Sequence, residues 1–315
     1  MEKTTALVLA PSSLLASPLA ARLVEAFLAG RSPRTVEAYR ADLEGFRAFV
    51  GAADLDEAAR LLLGRGHGEA NALGLAYRAA LLEAKFAPAT VNRRLAALRS
   101  LVKLARTLGL VPWELEVPSV KAEAYRDTRG PGRGGFLALL AALDGRLDAK
   151  AKRDRAAVRL LFDLALRRAE VVSLDLEDVD LRAGTVAVMG KGRREKVRLS
   201  LPSPTRAALA AWVETRGSSS GPLFLNFDRA RKGGRLTGTS LYRLVVSLGL
   251  EVGVRARPHG LRHAGITSAL DLTGGDVRAV QKFSRHRDLR TLNRYDDNRE
   301  DLAGRVAALV AGEGA

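Results

Sequence analysis

The chain has 315 residues, 47% hydrophobic and 27% charged, with no cysteine. That is enough apolar material for two packed domains and too much for wholesale disorder or a repetitive fibre. The missing thiols exclude disulfide frameworks, thiolate nucleophiles, zinc fingers and iron-sulfur clusters, and suit a reducing cytoplasm; the 51 Lys and Arg against 35 Asp and Glu give a net +16, which attracts polyanions.

From the N-terminus, residues 4–21 carry no charge, but Pro11, Pro18 and three serines interrupt them. This makes a poor signal core or membrane span, so residues 1–20 are expected to form a flexible leader, and nothing else approaches a spanning length. A helix is legible from Ser32, with Pro33 at its first position and Val36, Tyr39, Leu43, Phe46 and Val50 on one stripe. A second runs over 89–108 through Val91, Leu95, Leu98, Val102 and Ala105, flanked by Arg93, Arg94, Arg99, Lys103 and Arg106. No acid interrupts 84–113. Those cations read either as a solvated helix face or as a helix laid along a DNA groove with its charges on phosphates.

The helical pattern dissolves from about 107 to 135, through Pro112, Pro118 and Gly130-Pro131-Gly132-Arg133-Gly134-Gly135. This reads as an interdomain linker ending in a hinge. The boundaries expected are a helical domain over 21–125, a linker over 126–135 and a second domain over 136–315. The glycine run formally matches GxGxxG, yet no strand precedes it and Pro131 sits inside it, which argues against a dinucleotide fingerprint. Basic and acidic side chains number 18 and 14 up to residue 130, and 33 and 21 beyond it, so the second part holds most of the positive field.

Beyond the linker, 151–166 has helical period, and 179–181, 185–189 and 196–199 alternate as short strands. Helices are expected over 204–216, 239–250, 259–272, 276–285, 289–298 and 302–310. The fold class is mainly α with a small antiparallel β-sheet, an N-terminal helical bundle followed by an α+β domain.

Only four histidines exist, and His259, His263 and His286 fall in the basic part of the chain. His259 and Arg262, at i and i+3 on a helix, set a proton-transfer group beside a fixed cation. His259 and His263 mimic a metal pair, but Gly260 stands where a zinc protease has Glu and no third ligand has recognisable spacing; no metal is expected, and His263 reads as a satisfied structural residue.

These residues resemble the tyrosine recombinases, also called phage integrases. Leu166-Arg167-Arg168-Ala169-Glu170 is similar to their first box, Gly190-Lys191-Gly192 to their hairpin turn, and His259 through Arg262 to the His-x-x-Arg box. His286 stands nine residues before Tyr295, as in the last box. Residues 32–50 and 89–108 look like the family's helical core-binding domain, so the resemblance covers nearly everything after about residue 20. Five elements in order are specific where any one alone is weak. Two positions depart from the pattern: Ala165 and Arg285 stand where the family commonly has glycine, which questions the local backbone geometry and makes Arg285 a candidate phosphate contact.

The resemblance implies a site-specific recombinase that breaks and rejoins DNA through a covalent 3′-phosphotyrosine, with no metal, cofactor or ATP. Tyr295, of ordinary pKa about 10, would be the nucleophile and His259 its proton acceptor. Arg167, Arg262 and His286 would hold the phosphoryl oxygens, Lys191 would protonate the departing 5′-oxygen, and Glu170 would orient its neighbours. Arg193, beside Lys191, joins Arg93, Arg94, Arg99, Lys103, Arg106 and Arg285 as candidate DNA contacts. The resemblance also implies double-stranded DNA as partner, a homotetramer on two DNA sites, and a nucleoid-associated place in the cytoplasm. A type IB topoisomerase shares the tyrosine chemistry but lacks the core-binding signature, and a catalytically silent DNA-binding protein would form no covalent adduct.

Overall fold

Two units, residues 1–125 and 126–315, divide the chain in the computed structural model. The residues described are 22–121, 130–190, 195–228, 232–286 and 311–312. The leader, residues 126–129 of the linker, Lys191, Arg193, Tyr295 and the helices expected at 289–298 and 302–310 lie outside them.

In the first unit, Ser32 caps the first long helix as its spacing predicts. Its hydroxyl accepts the Thr35 amide at 3.3 Å, Pro33 opens the helix, and Gly51 at φ +69° closes it. The helices are α1 (Leu23–Leu28), α2 (Pro33–Val50), α3 (Leu55–Leu63), α4 (Gly66–Glu83) and α5 (Pro88–Thr107). α5 buries Val91, Leu95, Leu98, Leu101, Val102 and Ala105 against the other helices.

α3 and α4 are absent from the sequence reading. The glycines of α4 look like breakers, yet Gly74 serves packing, because a Cβ there would sit 2.5 Å from Val117 Cγ2. Val117 belongs to a segment read as linker from the loss of helical period after 107. It is packed instead: Leu110, Val111, Leu115 and Val117 are buried, and the Asn92 side chain bonds both the N–H and the C=O of Val120, at 2.7 and 2.9 Å. An extended segment satisfied by side chains leaves no hydrophobic period to read.

The second unit starts with α6 (Gly132–Asp144), so the expected linker to 135 is corrected at its end: residues 132–135 are the first turn of a helix. The glycines there allow close approach, since a Cβ on Gly135 would meet Pro131 at 2.5 Å and Val254 at 3.0 Å. Phe136 of α6 stacks on Phe162 of α7 (Ala149–Asp163), ring centroids 3.8 Å apart. α7 is the central helix, with Ala156, Ala157, Val158, Leu160 and Leu161 all buried. It stops three residues short of the expected 166, because Ala165 takes a left-handed φ of +45° that no α-helix accommodates.

After α8 (Arg168–Ser173), strands β1 (Val179–Asp180), β2 (Thr185–Met189) and β3 (Lys196–Ser200) form an antiparallel sheet in that order. Val186 pairs with both Val179 and Leu199, so its buried side sits over the core while alternate residues of β3 face out. α9 (Ser203–Arg216), α10 (Gly238–Glu251), α11 (Pro258–Leu272) and α12 (Val277–Ser284) complete the described part. Trp212 anchors α9, its indole N–H donating to Leu223 O at 2.9 Å. The observed class is mainly α with one small antiparallel sheet. Among the described residues no helix is long and apolar enough to cross a membrane.

Candidate active site

Three segments of the second unit converge: the turn between α7 and α8, the first turns of α11, and the end of α12. The turn is built by Glu170. Its carboxylate accepts the Arg167 amide at 2.8 Å on Oε2 and the Arg167 guanidinium at 2.7 Å on Oε1, which caps α8 and fixes Arg167 at its mouth. Glu170 is buried, whereas the Arg167 side chain keeps a third of its surface. Burial alone would raise the Glu170 pKa; the Arg167 amide, then the Arg285 and Arg167 guanidinium groups, outweigh it and hold the carboxyl below its ordinary value. Glu170 is therefore ionised at neutral pH.

α11 lies close against the end of α7 because position 265 is glycine. A Cβ there would overlap the Phe162 carbonyl oxygen. One turn earlier, Arg262 is 2% exposed, and its guanidinium donates to Ala165 O and, at 2.6 Å, to Ser284 O. It thus ties the α7–α8 turn to the end of α12. At the helix mouth, Gly260 and Gly130 approach so tightly that a Cβ on Gly130 would fall on the Gly260 carbonyl. Both interior glycines of α11 cost helix propensity, and that cost was the available sign of close packing in the sequence.

His259 keeps an exposed edge at the start of α11. The burial of the rest of its ring, then Arg262 and Arg167, lower its pKa from the ordinary value. His286 follows α12, and burial first, then Arg262, Arg167, Arg285 and His259, take its pKa down to about 4. Both imidazoles are neutral at pH 7. Arg262 Nη2 lies 3.3 Å from His286 Nε2; guanidinium only donates, so Nε2 accepts and the ring proton sits on Nδ1.

Arg167, Glu170, His259, Arg262 and His286 are thus gathered around one point. His263, four residues beyond His259, is buried instead, with Nδ1 3.4 Å from the Thr267 hydroxyl, and lines a small cavity of about 90 Å3 with Gly130, Gly132, Arg133 and Asp271. Lys191 and Tyr295 fall outside the described residues.

Arg285 turns inward rather than toward solvent. Its guanidinium donates to Leu164 O, Ala165 O and Glu170 Oε2, each at 3.1 Å. In the first unit, most of the α5 cations have protein partners. Arg93 donates to Asp42 at 2.7 Å, Arg94 lies 4.4 Å over the Phe86 ring, Arg99 donates to Val117 O and Ser119 at 3.2 Å, and Arg106 pairs with Glu114. Lys103 is exposed.

Two arginines at different depths, two neutral histidines and a buried carboxylate, held on separate segments of a mainly helical unit with one three-stranded sheet, form the arrangement expected for the catalytic unit of a tyrosine recombinase. Residues 136–301 match the phage integrase family, and the chain belongs to that family. It is a site-specific recombinase. The chain is 41% identical over 288 residues to a tyrosine recombinase of Synechococcus elongatus, covering 89% of this chain and 90% of that one. It is 31% identical over 273 residues to the tyrosine recombinase XerC of Pelobacter propionicus, 84% of each. Among solved structures, the Tn1549 transposon integrase in complex with transposon right end DNA superposes with a TM-score of 0.69 at 14% identity, over 92% of this chain and 98% of that one. The XerH site-specific recombinase bound to its difH substrate gives 0.66 at 18% identity, over 88% and 80%. At such identities the structural likeness speaks for the fold.

Proposed function

We propose that Tyr295 attacks a phosphodiester of duplex DNA in the cluster formed by Arg167, His259, Arg262 and His286. The phenol oxygen bonds to phosphorus as the bond to the 5′-oxygen breaks. The phenolic proton passes to His259, and Lys191 supplies a proton to the departing oxygen. The product is a 3′-phosphotyrosine and a free 5′-hydroxyl; attack by another strand's 5′-hydroxyl reverses the step, and since the phosphodiester is conserved no ATP is needed. Arg167 and Arg262 neutralise the charge that builds on the non-bridging oxygens, and His286 adds a donor once DNA draws Arg262 away and its ring proton moves to Nε2. Glu170 orients Arg167 and takes no proton.

One observation carries this reading: Arg167 and the remote pair Arg262 and His286 are drawn together through Glu170, which binds Arg167 and Arg285, and Ala165 O, which accepts from Arg262 and Arg285, with Arg262 in turn 3.3 Å from His286. The depressed pKa of His259 supports its part, since a base must be unprotonated at working pH. The protein acts on duplex DNA in the cytoplasm, among nucleoid DNA, as a homotetramer on two sites; the net charge of +16 supports the DNA partner.

The test is a nicked duplex that loses its 5′-hydroxyl fragment on cleavage and traps the adduct. Wild-type protein should give an SDS-resistant complex and Tyr295→Phe none while still binding DNA. Absence of adduct from the wild type on any genomic fragment would favour the silent DNA-binding reading. Sedimentation with synaptic DNA checks the assembly, and a persistent monomer would defeat the tetramer.

A further inference from the structure

Among the described residues, three that are not glycine have left-handed backbone: Lys85, Ala165 and Arg285. The last two are also the positions where the chain departs from the family's glycines, and they touch. Arg285 Nη2 donates to Ala165 O at 3.1 Å. A side chain at positive φ costs free energy that glycine avoids. The departures are therefore a coupled pair, in which the guanidinium at one strained position satisfies the carbonyl of the other.

We propose that Arg285 is a positioning residue, a latch that locks the Arg167 turn to the chain segment bearing His286. Its guanidinium reaches Leu164 O and Ala165 O on the α7–α8 turn and Glu170 Oε2 in the first turn of α8, while its own backbone is covalently joined to His286. Glu170 is shared: it holds the Arg167 guanidinium on Oε1 and both the Arg167 amide and Arg285 on Oε2. A shift of Arg285 would therefore move the carboxylate that orients Arg167 and the backbone that aims His286 together. With 11% of its side chain exposed and its donors on protein oxygens, Arg285 has the geometry of a brace rather than of a phosphate contact. The latch rests on the reading of Arg167 and His286 as phosphate-holding groups.

The experiment compares wild type, Arg285→Gly and Arg285→Lys on the nicked duplex, following adduct formation in a single turnover, DNA affinity against salt, and thermal stability. Glycine accepts the left-handed backbone, so Arg285→Gly isolates the loss of the guanidinium. Expected are unchanged DNA affinity and salt slope and an adduct rate lowered about 10- to 100-fold, the range for a misplacement near 1 Å. Methylguanidinium should restore part of that rate in Arg285→Gly and none in Arg285→Lys, whose ammonium cannot span three acceptors. An Arg285→Gly rate within two-fold of wild type, roughly the scatter of such comparisons, would overturn the latch. A salt slope lower by about one would overturn it in favour of a phosphate contact. A rate loss that tracks lost stability and resists methylguanidinium would reduce Arg285 to a local cap of α12. A wild type without adduct would defeat the recombination reading and the latch with it, whereas an active wild type beside an equally active glycine variant defeats the latch alone.

Discussion

Substituting Gly265 by alanine tests whether helix spacing, rather than the named side chains alone, sets the reaction rate. The added methyl would overlap the Phe162 carbonyl oxygen and press on that residue's carbonyl carbon at 3.2 Å and Cα at 3.4 Å. Backbone cannot swing aside as a side chain would, so α11 must move off α7 by on the order of 1 Å. Overpacking of this kind costs about 3 kcal/mol at the upper end of its range, and the better helix propensity of alanine returns about 1 kcal/mol. The net loss of about 2 kcal/mol corresponds to a melting temperature roughly 4–8 °C lower for a unit of this size.

The same shift carries Arg262, one turn away, off Ala165 O and Ser284 O, and a displacement of that size slows a positioned reaction by about 10²-fold. The assays are thermal unfolding and single-turnover adduct formation, with Gly134→Ala as control. Nothing lies within 4 Å of a Cβ at Gly134 in α6, so that variant should be neutral or slightly stabilised. If Gly265→Ala melts no lower than wild type and forms adduct at a rate within two-fold, the claim that this close approach positions Arg262 is wrong.

Acid should weaken the fold through His286. Its folded pKa of about 4 lies below the ordinary value of 6.5, so the unfolded chain binds more protons between those values and stability falls as pH drops through that window, by at most roughly 3 kcal/mol. Urea titrations at pH 7 and pH 5 should show the drop in wild type and a smaller one in His286→Asn; identical slopes would remove His286 from the account. The buried ion pair of Arg153 and Asp154, at 2.5 Å with both side chains under a tenth exposed, should make Asp154→Ala costly by about 3–5 kcal/mol, because Arg153 is left charged and buried. Chemical denaturation measures this, and a loss below about 1 kcal/mol would contradict it. On α5, Lys103→Ala should lower the salt slope of DNA binding by about one and Arg106→Ala, whose guanidinium already pairs with Glu114, by less; equal slopes for the two variants would contradict the distinction.

Motif order and periodicity determined a good deal. The stripe after Ser32, the strand alternation over 185–189 and the helix beginning at Pro258 all follow from local spacing, and local spacing is what sequence displays. The four motifs likewise lie in short stretches, so the family was legible in the residues themselves.

What the tertiary structure decided concerns partners remote in sequence. The run free of acids over 84–113 looked like an uncompensated cationic face, but Asp42 and Glu114, from outside it, meet Arg93 and Arg106. Residues 110–120 read as linker because side-chain hydrogen bonds and burial of alternate residues leave no helical period. Arg285 reads in the sequence as a candidate phosphate contact, whereas in the fold its guanidinium turns inward onto Glu170 and Ala165. In each case the deciding energy is a pairing or a close approach between segments, and such terms depend on three-dimensional distance, which no one-dimensional pattern encodes.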